Sequence, residues 1–186
     1  AQLQDLAAAE LVCAGLDTLA TVWINEVQVL QADNMFRSWR TDVAAALQAG
    51  TNRIRVRCHS TLPAIAAGSE RRRLREWNNY RPVYNGRGWI RKMSCSYGWD
   101  WGPMLPTCGI WGAIGLELRR GAGIAEVHLR QDHDAPGAAV DLHCRCRLVG
   151  GPEPVTVVIR DGGRTVASAT IPAGTQETTL RIPEAR

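Results

Sequence analysis

The sequence predicts an all-β chain, and three observations carry that prediction. Apolar and polar residues alternate along most of its 186 positions, the period-two signature of half-buried strands. Only one short segment carries helical signals. Turn residues recur between the alternating runs, and Asp161-Gly162-Gly163 is the strongest hairpin signal among them.

In chain order, strands are predicted at 10–14, 18–24 and 27–30. The helical candidate follows at 42–48, with Asp42 near its start and Gly50 behind it. Over 52–58, Ile54, Val56 and Cys58 alternate with Arg53, Arg55 and Arg57. A strand at 111–118 precedes a change of character near 119–123: all seven tryptophans and all three tyrosines lie before it. Beyond it, strands are predicted at 126–130, 140–148, 155–160, 165–171 and 178–182. In 140–148, Val140, Leu142, Cys144, Cys146 and Leu148 point one way, and Asp141, His143, Arg145 and Arg147 the other. Evenly spaced turns and a Val/Thr/Ala-rich composition give this second part the look of an immunoglobulin-type sandwich. It is short for seven strands and is predicted to lack the last one or two. Two β domains are therefore expected, 1–120 and 121–186.

Composition excludes several classes. A hydrophobic fraction of 45% and a charged fraction of 22% are those of an ordinary globular protein. No apolar run reaches 18 residues, so no membrane span is expected. The first residues lack the basic start and apolar core of a signal peptide. A soluble protein of the cytoplasm or periplasm is the expectation. The net charge is +4, and Lys92 is the one lysine among 22 basic residues. The densest basic cluster, Arg71-Arg72-Arg73 with Arg75, has Trp77 and Tyr80 after it. It reads as a solvated loop or short helix rather than a nucleic-acid site. The six cysteines, Cys13, Cys58, Cys95, Cys108, Cys144 and Cys146, form no CxxC pair and are expected to be buried free thiols. His143 points away from Cys144 and Cys146, which argues against zinc; no metal or cofactor is expected.

The residues furthest from average composition lie at 89–111, WIRKMSCSYGWDWGPMLPTCGIW. Four tryptophans, Tyr97 and one short acid, Asp100, sit on a loop punctuated by Gly98, Gly102, Pro103 and Pro106. Flat apolar rings around a carboxylate suit a polyol ring: an indole buries on the order of 200 Å² and keeps one N–H donor, and a carboxylate accepts several hydroxyl hydrogen bonds. Asp100 is the loop's sole acid, whereas a retaining glycosidase needs two carboxyls about 5–5.5 Å apart. The inventory therefore says binding rather than bond cleavage. Asp100 either meets a ligand or caps a turn and pairs with Arg91 or Lys92. One of Trp99 and Trp101 shapes a subsite while the other locks the loop. Trp89 and Trp111 are expected in the core, and Trp23 and Trp39 in the core or an interface. Asn34 and Arg37 fix their own loop through bonds to backbone.

Three segments together resemble one family. GLDTLATVWINE (15–26), DNMFRSW (33–39) and CSYGWDWGPMLPTCGIW (95–111) are similar to the N-terminal region of glycoside hydrolase family 2 β-mannosidases. The resemblance implies part of a jelly-roll (galactose-binding-like) sugar-binding sandwich, then part of an immunoglobulin-like domain. It also implies that a catalytic TIM barrel, absent from these residues, carries both catalytic glutamates. No residue of this chain is then catalytic. The resemblance places Asp100, Trp99 and Trp101 against a terminal non-reducing β-D-mannose of a β-mannoside or manno-oligosaccharide, with Arg91, Lys92 and Tyr97 supporting them. The parent would be an exo-acting retaining enzyme whose barrel this portion scaffolds. Met104, Cys108 and Gly112 stand where the family usually has Arg, Ser and Arg, and Glu26 where it has Gly. Two other readings compete, a free-standing carbohydrate-binding module and a structural β-sandwich that uses its aromatics for packing. Another family 2 activity such as β-galactosidase fits WDWGP less well.

Overall fold

The computed structural model describes residues 5–74, 87–133 and 139–183. Arg75, Glu76, Trp77 and Tyr80 lie outside the described residues. The chain divides into two compact units, one built around Ala9–Glu117 and the other around Leu118–Arg186 with the short segment ending at Ala8.

The first unit is antiparallel β-structure in three sheets. Strand β1 (Ala8–Cys13) lies between β5 (Trp39–Asp42) and β8 (Ile114–Arg119). Its alternation buries Ala9, Leu11 and Cys13 completely on one side. On the other side Glu10, itself buried, accepts from Arg40 at 2.9 Å, and Arg40 also pairs with Glu117. The hydrogen bonds of Glu117 and Glu10 raise the Arg40 pKa above its ordinary value. Strand β3 (Leu19–Ile24) runs between β4 (Val27–Ala32) and β6 (Ile54–His59), with Ala20, Val22 and Ile24 in the core. A two-residue turn joins β3 to β4 with Asn25 at φ 48° and Glu26 at φ 69°, the double left-handed geometry of a type I′ hairpin. Asn25 is held there by bonds to Asn52 Oδ1 at 2.7 Å and the Ala46 carbonyl at 3.0 Å. Glu26 reaches Arg55 at 2.9 Å. A non-glycine residue thus occupies the position where the family resemblance leads one to expect glycine. The third sheet pairs β2 (Leu16–Asp17) with β7 (Gly109–Ile110).

Three sequence expectations need correction in this unit. The segment 42–48 is not a helix but a 3-10 turn at Ala44–Ala46, opened by Asp42 Oδ1 accepting the Ala44 N–H at 2.9 Å. The helix is α1 (Leu62–Arg71), where Pro63 suits the first turn and Ile65 and Gly68 are buried one turn apart. Its cap residue, Thr61, makes no side-chain capping bond; its hydroxyl instead accepts from Tyr97 at 2.6 Å. The predicted strand at 111–118 is broken, because the N–H groups of Trp111 and Gly112 both reach back to the Gly15 carbonyl, at 3.2 and 3.3 Å. Gly112 permits that approach: a Cβ there would lie 2.7 Å from the Gly15 nitrogen.

The second unit pairs β10 (Val140–Val149) with β9 (Gly123–His133) and β13 (Glu177–Ile182). A separate hairpin joins β11 (Val155–Asp161) to β12 (Arg164–Ile171). Gly162 and Gly163 make its turn at φ 52° and 86°, as Asp161-Gly162-Gly163 predicts. Cys144, Cys146, Ile171 and Leu180 form the core, with Val155, Val157, Ile159, Ala167 and Ala169 against them. Val127 and Leu129 oppose Cys146 and Cys144 in the ladder and so share their face, yet they are 52% and 55% exposed. All described cysteines are free; Cys13, Cys144 and Cys146 are buried, Cys58 is half-buried, and Cys95 and Cys108 are exposed. Burial of all six is therefore corrected for Cys95 and Cys108, which sit on the surface of the Trp-rich loop.

Candidate functional site

The Trp-rich loop is anchored at several points before it reaches solvent. Trp89, in a 3-10 turn at Arg87–Trp89, lays its ring on α1 where Gly68 has no side chain; a Cβ there would be 2.5 Å from the indole. Its Nε1–H donates to the Arg72 carbonyl at 3.1 Å, and the Arg71 guanidinium stands 5.0 Å from the ring centre. Arg91 forms a parallel bridge with Asn34, and its carbonyl accepts the Met35 N–H at 3.0 Å. Asn34 Oδ1 accepts the Phe36 N–H at 2.9 Å, and the Asn34 carbonyl accepts Trp39 Nε1–H at 3.2 Å. Asn34 thus fixes its loop through backbone bonds, as expected. Arg37 Nε donates to the Ser38 carbonyl at 3.5 Å, and its guanidinium stacks 4.4 Å over Trp39.

Lys92 turns inward. Its side chain is 0% exposed and its ammonium pairs with Asp17, which is 8% exposed. The same carboxylate oxygen accepts Thr107 Oγ1–H at 3.3 Å, and its other oxygen accepts the Thr18 hydroxyl. Lys92 therefore supports the loop by pairing with Asp17, and the alternative in which it pairs with Asp100 is set aside. Tyr97 is buried and donates to Thr61. Burial raises its phenol pKa, and the nearby Asp17 charge acts in the same direction. Sequence reasoning missed Asp17, although a solitary lysine in an arginine-rich chain was the available signal.

Beyond Tyr97 the backbone turns at Gly98 (φ 120°), over which Met104 folds; a Cβ there would lie 3.1 Å from Met104 Cγ. The tip, Trp99-Asp100-Trp101, stands in solvent, with Trp99 52% and Trp101 98% exposed. Among the described residues the Asp100 carboxylate has no ion-pair or hydrogen-bond partner, so neither Arg91 nor Lys92 neutralises it. Trp111 is 60% exposed, not a core residue, although its ring packs on Gly15, where a Cβ would lie 2.4 Å away. Trp89, Trp23 and Trp39 are half-buried, the last two under Arg55 and Arg37. An unpaired carboxylate between two exposed indoles can accept hydroxyl hydrogen bonds and stack on an apolar sugar face. It cannot supply both an acid and a nucleophile.

A second polar cluster, not anticipated from the sequence, lies on the outer face of β10. His143 Nε2 is 2.9 Å from Asp132 Oδ2, and its Nδ1 is 3.0 Å from Thr179 Oγ1. The order hydroxyl, imidazole, carboxylate resembles an activated nucleophile. Asp132 is also held by Arg130 at 2.9 Å, however, and the central strand's backbone bonds go to β9 on one side and β13 on the other. Asp132, His143 and Thr179 stand on three neighbouring strands, so the cluster forms a cross-strand polar ladder.

Residues 1–112 match the family described as glycosyl hydrolase 2 galactose-binding domain-like. The chain is 42% identical over 113 residues to a β-mannosidase of Bos taurus, covering 58% of this chain and 13% of that protein. It is 29% identical over 189 residues to β-mannosidase B of Emericella nidulans, covering 94% of this chain and 21% of that one. Among solved structures, β-D-mannosidase from Dictyoglomus thermophilum superimposes with a TM-score of 0.70 at 26% identity, over 97% of this chain and 22% of that one. A β-glucuronidase from Ruminococcus gnavus, at 15% identity and a TM-score of 0.60, shares the fold. The chain thus spans between about an eighth and a fifth of the length of these two curated relatives.

Proposed function

The chain belongs to the glycosyl hydrolase 2 galactose-binding domain-like family, and from that premise we propose that it is the non-catalytic N-terminal portion of an exo-acting retaining β-mannosidase. Asp100 orients the terminal non-reducing β-D-mannose by accepting hydrogen bonds from its hydroxyls. Trp99 or Trp101 packs against the sugar's apolar face. The acid/base and nucleophile belong to a catalytic barrel outside these residues, which the two β domains, 1–120 and 121–186, scaffold. The observation that carries this reading is the unpaired Asp100 carboxylate between two exposed indoles on a loop whose root is buried. The half-exposed inner face of β9 supports reading 121–186 as an incomplete immunoglobulin-like sandwich.

Two measurements test it. The 186-residue chain is titrated with methyl β-mannoside while the indole N–H signals of Trp99 and Trp101 are followed by NMR. Half a pocket gives a dissociation constant in the millimolar range, about −4 kcal/mol, and Asp100→Ala abolishes the shifts. Shifts that survive Asp100→Ala, or none in the unaltered chain, overturn the role of Asp100. With an aryl β-mannoside no turnover is expected; turnover abolished by Asp100→Ala overturns the non-catalytic assignment.

A further inference from the structure

We propose that the buried Asp17 carboxylate is a clasp that positions the sugar-binding tip by tying together both ends of its loop. Lys92, at the start of the loop, and Thr107, at its end, converge on one carboxylate oxygen, and Thr18 holds the other. Everything between these two tethers is residues 93–106, and Trp99, Asp100 and Trp101 lie at the middle of that span. Closing a loop of this length costs chain entropy that must be offset where its ends meet. At the Lys92 end the charge-assisted contact is closed off from water and so of the strong kind, while Thr107 is exposed and bonds at 3.3 Å. A single acceptor for both ends also fixes their separation, so the tip is aimed by its root and not by contacts of its own. Tyr97 adds a third tether, from the loop interior to Thr61 at the start of α1. Asp17 itself touches no ligand in this scheme and is a positioning residue. Its value for sugar binding rests on the reading of Asp100 given above.

The alternative is that the Asp17–Lys92 pair only fills the core. The two roles separate in a double variant, because replacing a buried ion pair by neutral groups of similar size is often harmless to stability. Amide hydrogen exchange is measured on the 186-residue chain as the unaltered protein, Asp17→Asn, Thr107→Val, and Asp17→Asn combined with Lys92→Met. The double variant is expected to melt near the unaltered protein, yet to exchange about tenfold faster across 93–106 with β9–β13 unchanged. Exchange at 93–106 equal to that of the unaltered chain in the folded double variant overturns the clasp. Thr107→Val leaves the ion pair intact and covers the case in which Asp17→Asn fails to fold. It is expected to speed exchange about threefold at 102–106 alone, and no change there also overturns the proposal. The methyl β-mannoside titration separates the two claims. A silent titration with the exchange result as expected sinks only the sugar reading, and binding with unchanged loop exchange sinks only the clasp.

Discussion

Two ionic clusters, one in each unit, use charge in opposite ways. In the first, Asp17 and Lys92 form one pair closed off from water, which Thr107 reaches from the far end of the same loop. In the second, Arg145–Glu177, Arg147–Glu126, Arg181–Asp141 and the Asp132–His143–Thr179 ladder lie on an open sheet face. Both places set carboxylates against cations, a lysine in the first and arginines with a histidine in the second. What differs is desolvation. A buried pair cannot be half-made, because a charge left alone there has no water to turn to. An exposed pair is made or lost with little consequence, because water takes its place. Buried charge therefore specifies geometry, and surface charge mainly keeps a strand soluble.

The comparison breaks most visibly if Lys92→Ala is mild. Leaving Asp17 uncompensated should cost about 3–5 kcal/mol, read as a large fall in the denaturant midpoint. The close approach at the far end of the loop comes next. Gly112→Ala pushes a Cβ against the Gly15 backbone and should cost about 1–3 kcal/mol by overpacking, again from denaturant titration. Tyr97→Phe removes one buried hydrogen bond, for about 1 kcal/mol at neutral pH. Its pH dependence has a definite sign. The folded phenol pKa is raised, chiefly by burial, so the folded state holds its proton where the unfolded chain would release it. That contribution is complete below the ordinary value of 10.0 and is lost as pH climbs through the raised folded pKa. The alkaline loss of stability should accordingly be smaller in Tyr97→Phe. The smallest effect belongs to the open face: Glu177→Ala should change stability by no more than about 1 kcal/mol, and the difference should vanish in high salt. A larger effect there would mean that the sheet face is less solvated than its exposure indicates.

Much of the fold was legible in the sequence because alternation reports burial directly. The strand at Val140–Val149 carries its pattern residue by residue, and Gly162 and Gly163 carry their turn. The helix at Leu62–Arg71 was not legible: Ile65 and Gly68 are its only buried residues, too few to print a helical period on an alanine-rich segment. The four-residue strand Trp39–Asp42 was missed because it is short, and its place is set by pairing with β1. At the candidate site the tip was legible, since tryptophans around one acid are conspicuous. The root was not, because Asp17 and Lys92 are 75 positions apart, and a solitary lysine marks itself without naming its partner. Trp111 was misplaced for a similar reason. Its ring does find a packing surface, but one offered by Gly15 at the margin of the sheet, where one face of the indole stays wet.

Lys92 is the chain's one lysine, and its ammonium lies wholly inside. A reagent that acylates amines therefore has no side-chain target in the native fold. Each molecule becomes labelled at Lys92 only when the loop lifts from its seat, so the accumulated label counts openings. Attachment of dyes or resins through lysine would likewise select unfolded molecules, and the exposed Cys95 or Cys108 thiols are the better handles for tethering the protein intact.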